Sequence, residues 1–238
     1  MTDHIVTSFS EELEQLSTNV SKMGGLAEAQ LQSAIDAITR RDIALADRTV
    51  SQDQQLDDLE ILIEENAVEL IALRQPMALD LREAMTAIKI AADLERIGDL
   101  AKNISKRSLV IFQDYETPNR LVQGLSRMGK LALGQLKLVL DAYTNRDVEM
   151  ANKVWLSDEE IDEMYNSVFR ELLTYMMEDP RTIGMCTHLL FVAKNIERIG
   201  DHATNIAETV SYLVTGDRVV GERPKGDKTS TTSVATGT

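Results

Sequence analysis

Leu94-Glu95-Arg96-Ile97-Gly98-Asp99 and Ile196-Glu197-Arg198-Ile199-Gly200-Asp201 are nearly the same segment written twice. Each is followed by the same pair, Asn103-Ile104 and Asn205-Ile206. Working back from these segments, the two halves of the chain stay in step. Gln30-Leu31 stands beside Gln135-Leu136, Asp36 beside Asp141, Thr39 beside Thr144, and Arg41-Asp42 beside Arg146-Asp147. Asp53 then matches Asp158, Asp57 matches Asp162, and after small gaps Pro76 meets Pro180. Two copies of roughly a hundred residues are too long for a solenoid unit and imply two similar domains.

Each copy reads as three long helices. In the first copy, apolar residues fall at Val6, Phe9, Leu13, Leu16, Val20 and Met23, in alternating steps of three and four. That is the seam of a left-handed bundle, with ridges packing at about +20°. Ala27, Leu31, Ala34 and Ile38 carry the stripe past Gly24-Gly25. The second helix shows Leu56, Leu59, Ile63, Ala67, Leu70 and Leu73, and Gln75-Pro76 interrupts it. The third carries Ile90, Leu94, Ile97, Ala101 and Ile104, and its counterpart runs from Met185 to Leu213. Helices of about 30 residues are about 45 Å long. Short connections at Arg40-Arg41, Gln75-Pro76, Asn145-Arg146 and Asp179-Pro180 make neighbours antiparallel. The expected fold is all-α: two tandem three-helix bundles, residues 1–116 and 117–215, six long helices in all, with a disordered tail over 216–238.

Composition agrees with this and narrows the function. Of 238 residues, 43% are hydrophobic and only 4% aromatic, a bias toward helix rather than strand. The net charge of −14 repels a phosphate backbone, so nucleic acid is not expected as a partner. Cys186 is the only cysteine, which excludes an intramolecular disulfide and a cysteine-based zinc site. Its apolar setting, Ile183-Gly184-Met185-Cys186-Thr187, reads as a buried structural thiol. The first ten residues lack the pattern of a secretory signal, and the longest uncharged stretch, 182–193, is too short to span a bilayer. A soluble, cytoplasmic protein is expected.

Catalytic arrangements are scarce. His4, His188 and His202 fall in no HExxH or ExxH pattern, and no glycine-rich loop follows a strand. What stands out is paired carboxylates: Asp53/Asp57 on the second helix and Glu95/Asp99 on the third, repeated as Asp158/Asp162 and Glu197/Asp201. Residues four apart share a helix face, and like charges there oppose helix formation by a few tenths of a kcal/mol. The same pairs on the same helices of both copies would offer hard oxygen ligands to Mg, Mn, Ca or Fe. The rival reading is a solvated acidic face tied to Arg96 and Arg198 by ion pairs. Asn103 and Asn205 extend the carboxylate line by one turn, as accessory ligands or as simple hydrogen-bond partners. Gly98 and Gly200, inside helices, permit close approach of another helix or a ligand.

The residues quoted so far, with the opening His4-Ile5, Phe9, Glu12-Leu13 and Met23-Gly24, resemble the PhoU family. Gln75-Pro76-Met77-Ala78-Leu79-Asp80-Leu81-Arg82 is similar too, and the duplicated Glu-Arg-Ile-Gly-Asp is the most specific element. The likeness covers all but the tail. It implies two three-helix bundles and surface E(D)xxxD motifs that hold metal ions, often multinuclear iron or zinc, at the eight carboxylates just named. Mn and Mg stay open as alternatives. It further implies a cytoplasmic, non-enzymatic regulator that represses the phosphate-starvation regulon. Such a regulator restrains uptake through the ATPase subunit of the phosphate ABC transporter and a phosphate-sensing histidine kinase. A homodimer is expected from the same likeness. Copy two lacks the Asp-Leu-Arg segment, so contacts by Asp80 or Arg82 would belong to copy one; Arg96 and Arg198 are further candidate partner contacts. The competing readings are a metal-dependent phosphohydrolase or carboxylate-metal oxidase, and a metal-free helical scaffold.

Overall fold

The structure, a computed structural model, describes residues 2–218, with side chains from residue 9 onward; most of the expected tail, 219–238, lies outside the described residues. Among the described residues the chain is helical throughout, with no strand. α1 spans Thr2–Arg40, α2 Ile43–Gln52, α3 Gln54–Arg74 and α4 Leu79–Asp114. The second copy repeats the series as α5 Asn119–Asn145, α6 Val148–Leu156, α7 Asp158–Glu178 and α8 Ile183–Thr215, with a 3-10 turn at Pro180–Thr182 before α8.

The bundle seam expected on α1 is observed. Leu16, Val20, Met23, Ala27, Leu31, Ala34 and Ile38 are all buried, and α1 runs unbroken through Gly24-Gly25. At Gly24 an added Cβ would lie 2.4 Å from Leu140 Cδ2, so the missing side chain lets α5 pack close. Gly25 faces open space.

One feature differs from the sequence reading: the middle helix of each copy is broken in two. α2 and α6 are short pieces set off from α3 and α7 at Asp53 and Ser157. Both short helices start at an aspartate in extended conformation. Asp42 Oδ1 accepts from Leu45 N at 2.9 Å, and Asp147 Oδ1 accepts from Met150 N at 3.0 Å. The preceding Arg41 and Arg146 adopt left-handed backbone (φ 56° and 54°), which ends α1 and α5. The breaks at the far ends carry polar contacts. Gln30 Nε2 donates to the buried Asp53 carboxylate at 2.9 Å, and Gln135 Nε2 donates to Ser157 O at 2.8 Å. A glutamine from the first helix of each copy thus engages the joint of the second.

The two copies pack along α4 and α8, the most extensive helix pair in the molecule, and again along α1 and α5. Their buried residues form one continuous apolar core. Polar clasps sit on the same seam. His202 Nδ1 lies 2.8 Å from Asp93 Oδ1, and Asn205 Nδ2 donates to that oxygen at 3.3 Å. Arg82 donates to Leu213 O at 3.5 Å and lies over the Tyr212 ring, where a cation also suits the negative end of α8. Arg146 pairs with Glu83 across the copies. Arg41 donates to the carbonyls of Phe112 and Tyr115, both at 2.7 Å, and so closes the end of α4.

The glycines separate packing from propensity in a way stability measurements can read. Gly25→Ala, in open space, should stabilise the protein by about 0.5–1 kcal/mol through helix propensity. Gly98→Val should destabilise it by about 1–3 kcal/mol, because a Cβ there would meet Leu56 Cδ1 at 2.3 Å inside the core. Urea unfolding of both variants, read by circular dichroism, checks the pair.

Candidate metal-binding carboxylate sites

Asp53 stands at the α2–α3 joint and is only 3% exposed. Its two oxygens are held from different helices: Gln30 Nε2 of α1 donates to Oδ1, and Lys102 Nζ of α4 lies 2.5 Å from Oδ2. The same ammonium lies 3.0 Å from Asp99 Oδ1. Lys102 therefore bridges the two carboxylate pairs that the sequence placed on different helices. These hydrogen bonds hold its pKa above the usual lysine range, with Asp53 the larger cause. Asp57 and Glu95 complete the group. Burial, then the charge of Asp53, raises the Asp57 pKa. Burial, then Asp99, lifts Glu95 to about 7. On the outer rim Arg96 lies 3.4 Å from Glu95 and 3.8 Å from Asp99, much as the rival ion-pair reading expected.

Copy two builds the same group differently. Asp158, Asp162 and Glu197 are all buried, at 3%, 6% and 7% exposure, whereas in copy one only Asp53 is. Where Lys102 stands in copy one, copy two has Thr204, whose hydroxyl donates to Asp158 Oδ1 at 3.1 Å. The ammonium comes instead from Lys194, which donates to Glu197 Oε1 at 2.9 Å. The other oxygen, Glu197 Oε2, is buried with no hydrogen-bond partner, as is Gln135 Oε1 near Gly200. Burial raises the Glu197 pKa, partly opposed by Lys194, and Asp201 and Asp162 add to the rise. Gly98 and Gly200 do the same work in both copies: a Cβ at Gly200 would lie 2.8 Å from Ile161 Cδ1, so each glycine admits an apolar side chain of the neighbouring helix.

The structure thus brings carboxylates of the second and third helices near one another in each copy, Asp53, Asp57, Glu95 and Asp99 in the first and Asp162, Glu197 and Asp201 in the second. Among the described residues, no three His, Cys, Asp or Glu side chains are assembled as a ready-made metal cage. A buried, unpartnered carboxylate oxygen is nonetheless the kind of group a cation would satisfy, and the donors are the hard oxygens such ions prefer.

The other candidates lie elsewhere. Asn205 bonds Asp93 on the inter-bundle seam, and Asn103 lines a cleft on that seam; neither makes a described contact with a carboxylate pair. Arg82 is engaged by α8, while Asp80 is half-buried in the first turn of α4. Arg198 is exposed and makes no ion pair among the described residues. His202 is a structural clasp, and Cys186 is a buried thiol whose pKa burial pushes up. Sequence reasoning missed Lys102, Lys194 and Thr204 because they interrupt the repeat. It used Gln30 and Gln135 only to set the register.

Glu95 gives the group a pH signature. A raised carboxyl pKa means that the folded chain holds the proton more tightly, so ionisation opposes folding as pH rises from about 4.5 to about 7. In metal-free protein, Glu95→Gln should be more stable than the parent at pH 8 by on the order of 1 kcal/mol, discounted for partial solvent contact. The difference should vanish below pH 4. Thermal midpoints at the two pH values measure it.

A family model described as the PhoU domain matches the chain twice, over residues 20–108 and 125–210. The chain is 56% identical over 227 residues to a Caulobacter vibrioides protein named phosphate-specific transport system accessory protein PhoU homolog, covering 95% of this chain and 98% of that one. A Rhizobium meliloti protein of the same name is 57% identical over 228 residues, with 96% of each chain covered. The Escherichia coli accessory protein PhoU is 41% identical over 213 residues, covering 90% and 88%. Among solved structures, PhoU from Pseudomonas aeruginosa superposes with a TM-score of 0.84 at 38% identity, over 88% of this chain and 100% of that one. The phosphate transport system regulatory protein PhoU from Streptococcus pneumoniae gives 0.81 at 29% identity, over 89% and 99%. On both the duplicated domain match and the full-length relatives, this chain belongs to the PhoU family.

Proposed function

We propose that this accessory protein of phosphate transport is a cytoplasmic, non-enzymatic regulator that represses the phosphate-starvation regulon and restrains phosphate uptake. The observation that carries the reading is the end-to-end likeness, at 56% identity, to a protein named as a phosphate-specific transport accessory protein. The relatives are named for accessory or regulatory roles rather than for a reaction. No described helix is long and apolar enough to cross a membrane. The partners proposed are the ATPase subunit of the phosphate ABC transporter and a phosphate-sensing histidine kinase, with the regulator acting as a homodimer. Exposed apolar residues from Ile61 to Met85, among them Leu73, Met77 and Leu79, supply surface of the kind such contacts use.

The carboxylate groups are proposed metal sites. Asp53, Asp57, Glu95 and Asp99 would hold an ion between α3 and α4, and Asp158, Asp162, Glu197 and Asp201 another between α7 and α8. Iron, zinc, manganese or magnesium would supply a fixed positive charge there, cross-linking helices that otherwise repel. The orphaned Glu197 Oε2 supports the second site in particular.

Deleting the gene in its own organism should raise alkaline phosphatase activity in phosphate-replete medium, and a plasmid copy should restore the low level. Activity as low as in the parent would sink the repressor reading. The metal reading is tested separately on chelator-treated protein. A metal held at about 100 times its Kd should stabilise the fold by about 2.7 kcal/mol per site, and Glu197→Gln should remove the share of the α7–α8 site. Equal thermal midpoints with and without Fe, Zn, Mn or Mg would end it.

A further inference from the structure

The α4–α8 seam carries a feature that the carboxylate groups do not explain. A cleft of about 360 Å³ opens between the two helices, lined by Asn103, Lys106, Arg107 and Val110 of α4 and His188 and Asn195 of α8. The chain has 39 acidic residues against 25 Lys and Arg, yet no carboxylate lines this cleft. Lys106 and Arg107 make no ion pair among the described residues. The ring nitrogen His188 Nδ1 is buried without a hydrogen-bond partner, although burying such an atom unpaired is unfavourable. The Arg107 guanidinium is held over the Phe191 ring at 4.1 Å, which fixes its fork in place.

The internal repeat supplies a comparison within the same molecule. The shift that aligns Glu95 with Glu197 also aligns Lys106 with Glu208, Arg107 with Thr209, and Val110 with Tyr212. The corresponding cleft at the other end of the seam is lined by Lys89, Glu208, Thr209, Tyr212 and Arg218. There the acid is satisfied, because Trp155 Nε1 donates to Glu208 at 3.2 Å, and Lys89 lies over the Tyr212 ring. That cleft therefore sets an acid among its cations, whereas its twin presents cations and amides with no acid.

We propose that the Asn103–Lys106–Arg107–His188–Asn195 cleft binds a phosphate-type oxyanion. A guanidinium, an ammonium, an imidazole and two side-chain amides line one cleft, and a multiply charged tetrahedral anion can accept from donors of each kind. The volume admits either inorganic phosphate or the phosphoryl end of a larger molecule. The site is separate from the carboxylate groups and from the regulatory reading, so neither test above decides it.

Calorimetric titration of the full chain with inorganic phosphate, pyrophosphate and ATP, with acetate as control, tests the idea. Saturable binding of one phosphate-type ligand per chain is expected, together with a shift of the His188 ring signals in NMR. The Lys106→Ala/Arg107→Ala double variant should bind at least about tenfold more weakly, the scale of two lost charge-assisted contacts, with its circular dichroism unchanged. Lys89→Ala, in the twin cleft, should bind like the parent. Binding of inorganic phosphate would identify the free ion; binding of pyrophosphate or ATP alone would identify a phosphoryl group on a larger molecule. No saturable binding of any of the three would overturn the proposal. So would acetate binding as tightly, or an affinity unchanged in the double variant.

Discussion

Every other helix in the molecule packs against α4 or α8, and those two pack against each other. This central pair is the constraint from which the rest follows. A helix surrounded on several sides must be apolar over most of its circumference, and α4 and α8 are: Ile90, Leu94, Ile97, Ala101 and Ile104 on one, Leu189, Val192, Ile196, Ile199, Ala203, Ile206 and Val210 on the other are all fully buried. Their small residues set how closely the outer helices approach. Leu56 and Ile161 rest where the side chains of Gly98 and Gly200 would otherwise stand.

Most buried polar groups in this arrangement have partners, and they collect at two kinds of place. At the joint of each broken middle helix, Asp53 and Ser157 meet a glutamine from the first helix, and Lys102 of α4 ties Asp53 to Asp99. Along the seam between copies, Asp93 meets His202 and Asn205. The joints gather carboxylates, and the seam cleft of Lys106 and Arg107 is lined by cations without an acid. In a chain of net charge −14 that separation is achieved by position, not by composition.

The duplication does not make the halves equivalent. Lys102 spans Asp53 and Asp99 in copy one, while Thr204 stands at the matching position of copy two and the ammonium arrives from Lys194. The more buried carboxylates belong to copy two. The same divergence separates the two seam clefts, where Lys106 is answered by Glu208. A duplicated scaffold keeps its apolar stripe because the core demands it, and its polar positions are then free to differ.

The all-helical architecture, the duplicated plan and the carboxylate pairs were legible in the apolar periodicity and the repeat. A stripe such as Leu16, Val20, Met23, Ala27 and Leu31 has only one way to be buried, and a repeated Glu-Arg-Ile-Gly-Asp fixes the register of one half on the other. The sequence also placed the turns at Arg41, Gln75 and Arg146, where the backbone does turn left-handed. It did not show the breaks at Asp53 and Ser157, because no proline or glycine marks them and the glutamine that meets each joint lies far away in sequence. Nor could it pair Asp53 with Lys102 or Asp93 with His202, or set Arg107 and His188 along one cleft. Those meetings depend on helix rotation and on the crossing of α4 with α8, which are set by side-chain packing across the whole core, and only the tertiary structure decided them.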